Sequence, residues 1–186
     1  MKEALSKELL ACLSKEIEAR LGQFRPIEGD SGPWRWQWRV TDNLTFFVLL
    51  QPIDYLDQFT LEIAWSESGD FPWGAMGKKK VERAKGRLRL PDLWTQGPVE
   101  FLWDVDPAKT AATKLYLESL RTEKALAAPK DSPDEEVLPR VRALAHEAVD
   151  KLEQYGLPLF LQVAEVRGLK IESTSAARFD APVERQ

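Results

Sequence analysis

A two-residue rhythm of apolar side chains between residues 34 and 65 restricts the fold more than any other feature of the sequence. Tryptophan or valine occupies every second position from Trp34 to Val40, and large apolar residues do so from Phe59 to Trp65. Because side chains on a strand alternate between its faces, both segments predict strands with one dry face. The nearly continuous apolar run 44–50 predicts a central strand covered on both sides, which Pro52 should end. Short turns between the three predict an antiparallel meander.

Helical spacing precedes the meander and returns after it. Successive fourth positions near the N-terminus carry Leu5, Leu9, Leu13, Ile17 and Leu21. This stripe predicts one amphipathic helix over residues 2–21. Further along, Asp106 is followed by Pro107. Aspartate can cap free amides and proline fits the first helical position, so a second helix is predicted over residues 107–126.

Prolines and glycines govern the prediction for the C-terminal third. Ser132 and Glu135 have the spacing of a capping box and predict a helix start. Pro139 would clash within the second turn, so the helix should bend or restart before it continues to Gly156. Residues 157–166 are largely apolar and predict a short buried helix.

The predicted fold class is α+β, with an antiparallel β-meander sheet packed against the N-terminal amphipathic helix and C-terminal helices. Segments 87–90 and 99–105 predict two further short strands, and the stretch between the third strand and residue 86 predicts a long surface loop. A single domain is expected over residues 1–169, with a flexible C-terminal tail over 170–186.

Composition excludes several classes of protein. The longest apolar run, residues 46–50, is far shorter than the roughly 20 residues that span a bilayer. The first residues lack the pattern of a secretory signal, so a cytoplasmic location is expected. Cys12 is the only cysteine, which excludes an intrachain disulfide and a cysteine-based zinc site. No cofactor is predicted.

Catalytic candidates are few and each has a simpler structural explanation. A cysteine nucleophile activated by histidine could use only Cys12 and His146, which fall on different predicted helices. Three aspartates, Asp92, Asp104 and Asp106, could hold a divalent cation, although Asp106 also serves as a helix cap. The segment 74–79 lacks the spacing of a phosphate-binding loop. No catalytic residue and no metal ligand is therefore predicted, and an enzyme is less expected than a binding domain.

Basic residues are concentrated in one segment. Residues 78–89 contain seven lysines and arginines and one acid, so they carry plus 6 while the chain as a whole carries minus 4. Such a segment can attract anions, and an exposed aromatic such as Trp73 can anchor a partner. Arg35 and Arg39 alternate with tryptophans that are expected in the core. The candidate partner- or anion-binding residues are Trp73, Lys78, Lys79, Lys80, Arg83, Arg87, Arg35 and Arg39.

The order of the elements resembles the bacterial family catalogued as domain of unknown function 4304. Besides the leading helix, the residues that carry the resemblance are Phe24, Phe59 to Ile63, Arg87 to Leu90, Trp94, Trp103 and Tyr155 to Pro158. The resemblance implies an antiparallel sheet flanked by helices and brings no catalytic residues. The stretch from about 107 to 130 departs from the family pattern.

Two classes of function follow from these features, and a third remains open. The first hypothesis is a non-enzymatic domain for protein–protein interaction, as an adaptor or an immunity-like protein, motivated by abundant aromatics and polarised charge. The alternative is binding of an anionic ligand or nucleic acid through the basic 78–89 segment. A metal-dependent hydrolase that uses Asp92, Asp104 and Asp106 is the third. No membrane partner is expected.

Overall fold

The computed structural model describes residues 1–27, 34–53, 56–69, 86–95, 103–122 and 126–171. The predicted α+β class is confirmed. The helices are α1 (Glu3–Arg20), α2 (Pro107–Arg121), α3 (Asp134–Lys151) and α4 (Leu157–Val166). The strands are β1 (Arg25–Pro26), β2 (Arg35–Thr41), β3 (Leu44–Ile53), β4 (Gln58–Ser66), β5 (Arg87–Arg89) and β6 (Trp103–Asp104).

The strands form one antiparallel sheet in the order β1-β2-β3-β4-β5. The short strand β6 pairs with the start of β4, and β5 pairs with the same edge of β4 closer to its end. The meander predicted for β2, β3 and β4 is therefore confirmed. Every residue of β3 from Leu44 to Leu50 is buried, in agreement with the predicted central position.

The main core lies between one face of the sheet and the helices. From the sheet it takes alternate residues of β3 and β4, and from α1 the predicted stripe that begins at Leu5. Helices α3 and α4 add apolar residues such as Val141 and Phe160. Helices α1 and α3 run in the same direction, because Lys2 contacts Asp134 at one end while Arg20 contacts Asp150 at the other.

The tryptophans of β2 lie on the core side of the sheet, as the alternation predicts. Trp36 is 2% exposed, and the partly buried Trp34 and Trp38 pack against the same cluster. The ring of Trp38 lies 5.4 Å from that of Phe46, centroid to centroid. By the same alternation Arg35 lies on the opposite face. A surface that binds nucleobases needs aromatics and arginines on the same exposed face, and β2 does not provide one.

Several predicted boundaries are wrong, including the end of α2, which lies at Arg121 rather than at residue 126. Strand β3 continues through Pro52 to Ile53, still paired with β4. The amide of Leu50 donates to the carbonyl of Trp34, on the side of β3 that faces β2. By alternation, an amide at Pro52 would point to the same side, but the paired part of β2 does not reach that far. The proline therefore costs no hydrogen bond with β2. Ser132 is not the cap of α3, since Pro133 occupies that position without a side-chain cap.

Pro139 lies inside α3, and the predicted interruption instead occurs later. Helix α3 is continuous from Asp134 to Lys151 and passes into a π turn over Leu152–Gly156, which leads directly into α4. A Cβ on Gly156 would lie 2.7 Å from Cδ1 of Leu152, so a larger residue in this turn would require that side chain to shift. The short terminal helix predicted at 157–166 is confirmed.

Within the described ranges, none of the helices has the length and apolar character that a membrane span requires.

Candidate functional site

Helix α2 is attached to the rest of the fold through its first turn. Asp106 accepts a hydrogen bond from the amide of Lys109 at 3.0 Å, as the predicted cap requires. Although burial works in the opposite direction, hydrogen bonds from Ser132 and from the amide of Lys109 lower the pKa of Asp106. This carboxylate therefore stays charged at the N-terminus of the helix, where negative charge is favourable.

A buried ion pair lies directly beside this cap. The carboxylate of Asp57 is 1% exposed, and its Oδ2 lies 2.6 Å from Nζ of Lys109. The same Nζ lies 2.6 Å from Asp131 in the segment before α3, and the amino group of Met1 lies 3.1 Å from Asp57 Oδ1. Burial opposes protonation of Lys109, but hydrogen bonds to Asp131 and Asp57 raise its pKa. The lysine is thus held in its charged form between two carboxylates.

The hydroxyl of Thr110 adds a second connection. It donates to the carbonyl oxygen of Leu56 and lies 3.0 Å from Oδ1 of Asp104. Asp104 also accepts from the side-chain amide of Gln58 at 3.0 Å, and its carbonyl accepts from Arg140 of α3 at 2.8 Å. We call the whole group the polar junction, and its members are Asp57, Asp104, Asp106, Lys109, Thr110 and Asp131.

The burial of α2 is inverted relative to an ordinary surface helix. Its buried residues are Thr110, Thr113 and Ser119, all of them polar. Its leucines are exposed instead, with exposed fractions of 59% for Leu115 and 59% for Leu120. An amphipathic helix in a globular protein normally turns its apolar residues toward the core.

Most of the exposed large apolar side chains lie in one short region. The described residues include five such side chains, and four of them, Leu115, Leu117, Leu120 and Leu126, fall between residues 115 and 126. Successive residues of a helix are about 100° apart, so Leu117 and Leu120 share one side while Leu115 lies roughly 160° from Leu117. We call these four residues the leucine surface. Because its members lie on more than one side of α2, a protein that covers them must reach around the helix.

Nothing in the sequence analysis assigned a role to the leucine surface. No protein-family model, curated protein or solved structure matches the chain. The resemblance to domain of unknown function 4304 therefore stays a prediction. A role for this surface has to be argued from its own geometry.

Three of the arginines predicted as anion-binding residues, Arg35, Arg39 and Arg87, lie on the sheet face opposite the main core. Arg35 pairs across the sheet with Leu49, which pairs with Glu62, which in turn pairs with Arg89. Arg87 donates through Nε to Glu62 at 2.7 Å, and Arg39 lies 3.0 Å from Asp42. These contacts show that Arg87 and Arg39 already have carboxylate partners.

The other predicted binding residues are Trp73, Lys78, Lys79, Lys80 and Arg83, and they lie outside the described residues. The same holds for the segment 74–79 and for most of the predicted tail. Their proposed roles stay predictions.

The catalytic candidates are accounted for by ordinary contacts. Partial burial and the neighbouring carboxylate of Glu8 raise the pKa of the Cys12 thiol, which is the reverse of what activates a nucleophile. His146 places its Nδ1 3.2 Å from Asp150. Cys12 instead has its sulfur 3.7 Å from Glu8.

The three aspartates proposed as metal ligands do not form one group. Asp104 and Asp106 belong to the polar junction. Asp92 instead pairs with Arg89 of β5, at 3.4 Å. Across the described ranges, no set of three or more His, Cys, Asp or Glu residues is arranged to hold a metal ion.

Proposed function

We propose that this chain is a non-enzymatic protein-interaction domain, with the leucine surface as its contact with a partner protein. The observation that carries the proposal is the inverted burial of α2, which buries threonine and serine and exposes leucine. Burial of a leucine side chain contributes on the order of 1.5–3 kcal/mol, so several exposed leucines on one helix leave substantial free energy for association.

The contacts of α2 favour a binding role over a purely structural one. A helix that only covered the sheet would carry its leucines on one inward side, yet Leu115 and Leu120 lie about 140° apart around α2 and each is more than half exposed. Exposed large apolar residues that are concentrated between residues 115 and 126 mark an interaction site more often than scattered single residues do. An adaptor and an immunity-like protein both meet this description, since each acts by occupying a surface of another protein.

The first test compares capture of partners by three forms of the chain in lysate of the native cell. The double variant L115E/L120E should lose a stoichiometric partner, with affinity about 100-fold weaker, because two central apolar contacts are replaced by charges. V166E is the matched control, because Val166 is an 80% exposed apolar residue on a different helix, α4. Quantitative mass spectrometry of the captured proteins gives the comparison.

The proposal fails if L115E/L120E retains every protein that the unmodified chain and V166E capture. It also fails if L115E/L120E and V166E lose the same partner equally, because the effect would then not belong to α2. Circular dichroism of the three forms shows whether the helical content is preserved.

A second candidate function, binding of an anionic ligand or nucleic acid, is favoured by the arginines on the face opposite the core. The cross-strand pairing places Arg35 of β2 and Arg89 of β5 on the same face, separated by two strands. Neighbouring strands are about 4.8 Å apart, so these arginines flank a strip roughly 14 Å wide. Leu49 and Glu62 lie between the two arginines, and Arg87 neutralises Glu62, so the width and charge of the strip are compatible with a single extended polyanion.

Salt dependence tests this second candidate. Single-stranded RNA or polyphosphate should bind most tightly at low ionic strength, and R35Q/R89Q should weaken binding at least about tenfold and reduce the slope of log affinity against log salt. K114Q on α2 is the control for loss of positive charge elsewhere. Absence of binding at 20 mM salt, measured by fluorescence anisotropy, would rule this candidate out.

A further inference from the structure

The attachment of α2 differs in kind from that of the other helices. Helix α1 buries Leu5, Leu9, Leu13 and Ile17, and α3 and α4 also bury apolar side chains. None of the buried residues of α2 is apolar. Segments with few buried apolar contacts open at a small fraction of the free energy of global unfolding.

The polar contacts of α2 with the rest of the fold are concentrated at its start. Lys109 pairs with Asp57 and Asp131, and Thr110 donates to Leu56. Further along, the side-chain hydrogen bonds found in the described part of α2 stay within the helix, as in the bond from Ser119 to the carbonyl of Tyr116 at 2.7 Å.

One buried polar group of α2 is unfavourable. The hydroxyl of Thr113 is buried, and no hydrogen-bond partner for it exists among the described residues. A buried hydroxyl without a partner loses its bonds to water and gains none in return. Separation of α2 from the body would return this hydroxyl to water.

The geometry points to a conformational device: α2 separates from the body, the Lys109–Asp57 ion pair sets how often it does so, and the partner binds α2 once it has separated. The last part rests on the proposed function. A helix of this length is only marginally stable without tertiary packing, so its hydrogen bonds open more often while it is separated. Leu115 and Leu117 lie on opposite sides of α2, so a groove that covers both needs access to the side that now faces the body.

The buried pair is suited to this control. Asp57 is 1% exposed, so loss of the lysine charge leaves a carboxylate in a dry site with the amino group of Met1 as its other cationic neighbour. Removing one member of a buried ion pair destabilises the paired arrangement strongly. The separated helix does not bear this cost, because Asp57 then meets water.

Hydrogen exchange without any partner tests the separation itself. In K109Q the amides of residues 113–121 should exchange at least about tenfold faster, while amides of β3 keep their rates. K114Q is the matched control on the same helix, because Lys114 is exposed and lies outside the polar junction; it should change exchange less than twofold. K109R, which keeps the charge, should restore slow exchange to within about threefold.

T110V provides a second variant if K109Q does not fold. It removes the bond to Leu56 and should accelerate exchange in α2 in the same direction with a smaller change. The inference is overturned if α2 exchanges as slowly as β3 in the unmodified chain, or if neither K109Q nor T110V accelerates it.

Partner binding separates this inference from the proposed function. K109Q should bind the captured partner more tightly, because more of the chain is already in the binding form. If exchange is faster in K109Q but the partner binds L115E/L120E as tightly as the unmodified chain, only the proposed function is overturned. A partner that needs the leucines but binds K109Q no more tightly would overturn only the coupling.

Discussion

Replacement of Phe46 by alanine is expected to lower the free energy of unfolding by about 3–5 kcal/mol. Phe46 is 0% exposed and lies near the start of the central strand β3. Its ring stacks on Phe160 of α4 at 4.6 Å and meets Trp38 edge-on, so the substitution removes contacts with both the sheet and a helix. The surrounding rings are held by their own strands and helix and cannot collapse into the space. Urea denaturation monitored by tryptophan fluorescence measures the loss.

R39A is the matched control for the substitution of Phe46. Arg39 lies on the paired strand β2 but on the opposite face, where its side chain is 67% exposed. A surface substitution of this kind should change stability by no more than about 0.5 kcal/mol. Equal losses in F46A and R39A would mean that the two faces of the sheet are not distinguished as the alternation predicts.

The sheet was predictable because its signal is local. A period of two in residues 34–41 and 58–65 determines which side chains share a face, and only one assignment buries tryptophan rather than arginine. The helix α1 was predictable for the same reason, since its leucine stripe has a single dry side. Both patterns depend on residues a few positions apart.

The candidate site was not predictable in this way. Helical periodicity shows which residues of α2 share a side, but not that the side with threonines would face the body. That orientation depends on contacts between Lys109 and Asp57 and between Thr110 and Leu56, which are distant in sequence. A hint was available, because Leu115, Leu117 and Leu120 do not form one stripe as the leucines of α1 do.

The π turn illustrates a further limit of sequence patterns. Gly156 was expected to end a helix, yet the chain continues as a helix on both sides of it. The glycine leaves room for the side chains of Leu90 and Leu152, since a Cβ would lie 3.2 Å from Leu90 Cδ1 and 2.7 Å from Leu152 Cδ1. Close packing and chain termination both select glycine, so the residue type does not distinguish them.

Substitution of Gly86 by alanine is expected to destabilise the fold by about 2–3 kcal/mol, because two costs add. Its φ of +97° is a conformation that residues with a side chain rarely adopt. A Cβ there would also lie 2.8 Å from the carbonyl oxygen of Trp65, which is backbone and cannot move aside without disturbing β4. The carbonyl of Gly86 accepts from the amide of Trp65 at 2.8 Å, so a shift would weaken the pairing that positions β5.

Gly69 provides the control that separates the two costs. Its φ is +81°, but a Cβ at this position would have no atom within 4 Å. G69A should therefore show only the conformational cost, about 1 kcal/mol, and G86A should exceed it by the cost of the clash. Thermal or urea denaturation of both variants gives the difference. Equal losses would show that the backbone of β4 at Trp65 shifts without cost, so that the clash contributes nothing to the stability of the fold.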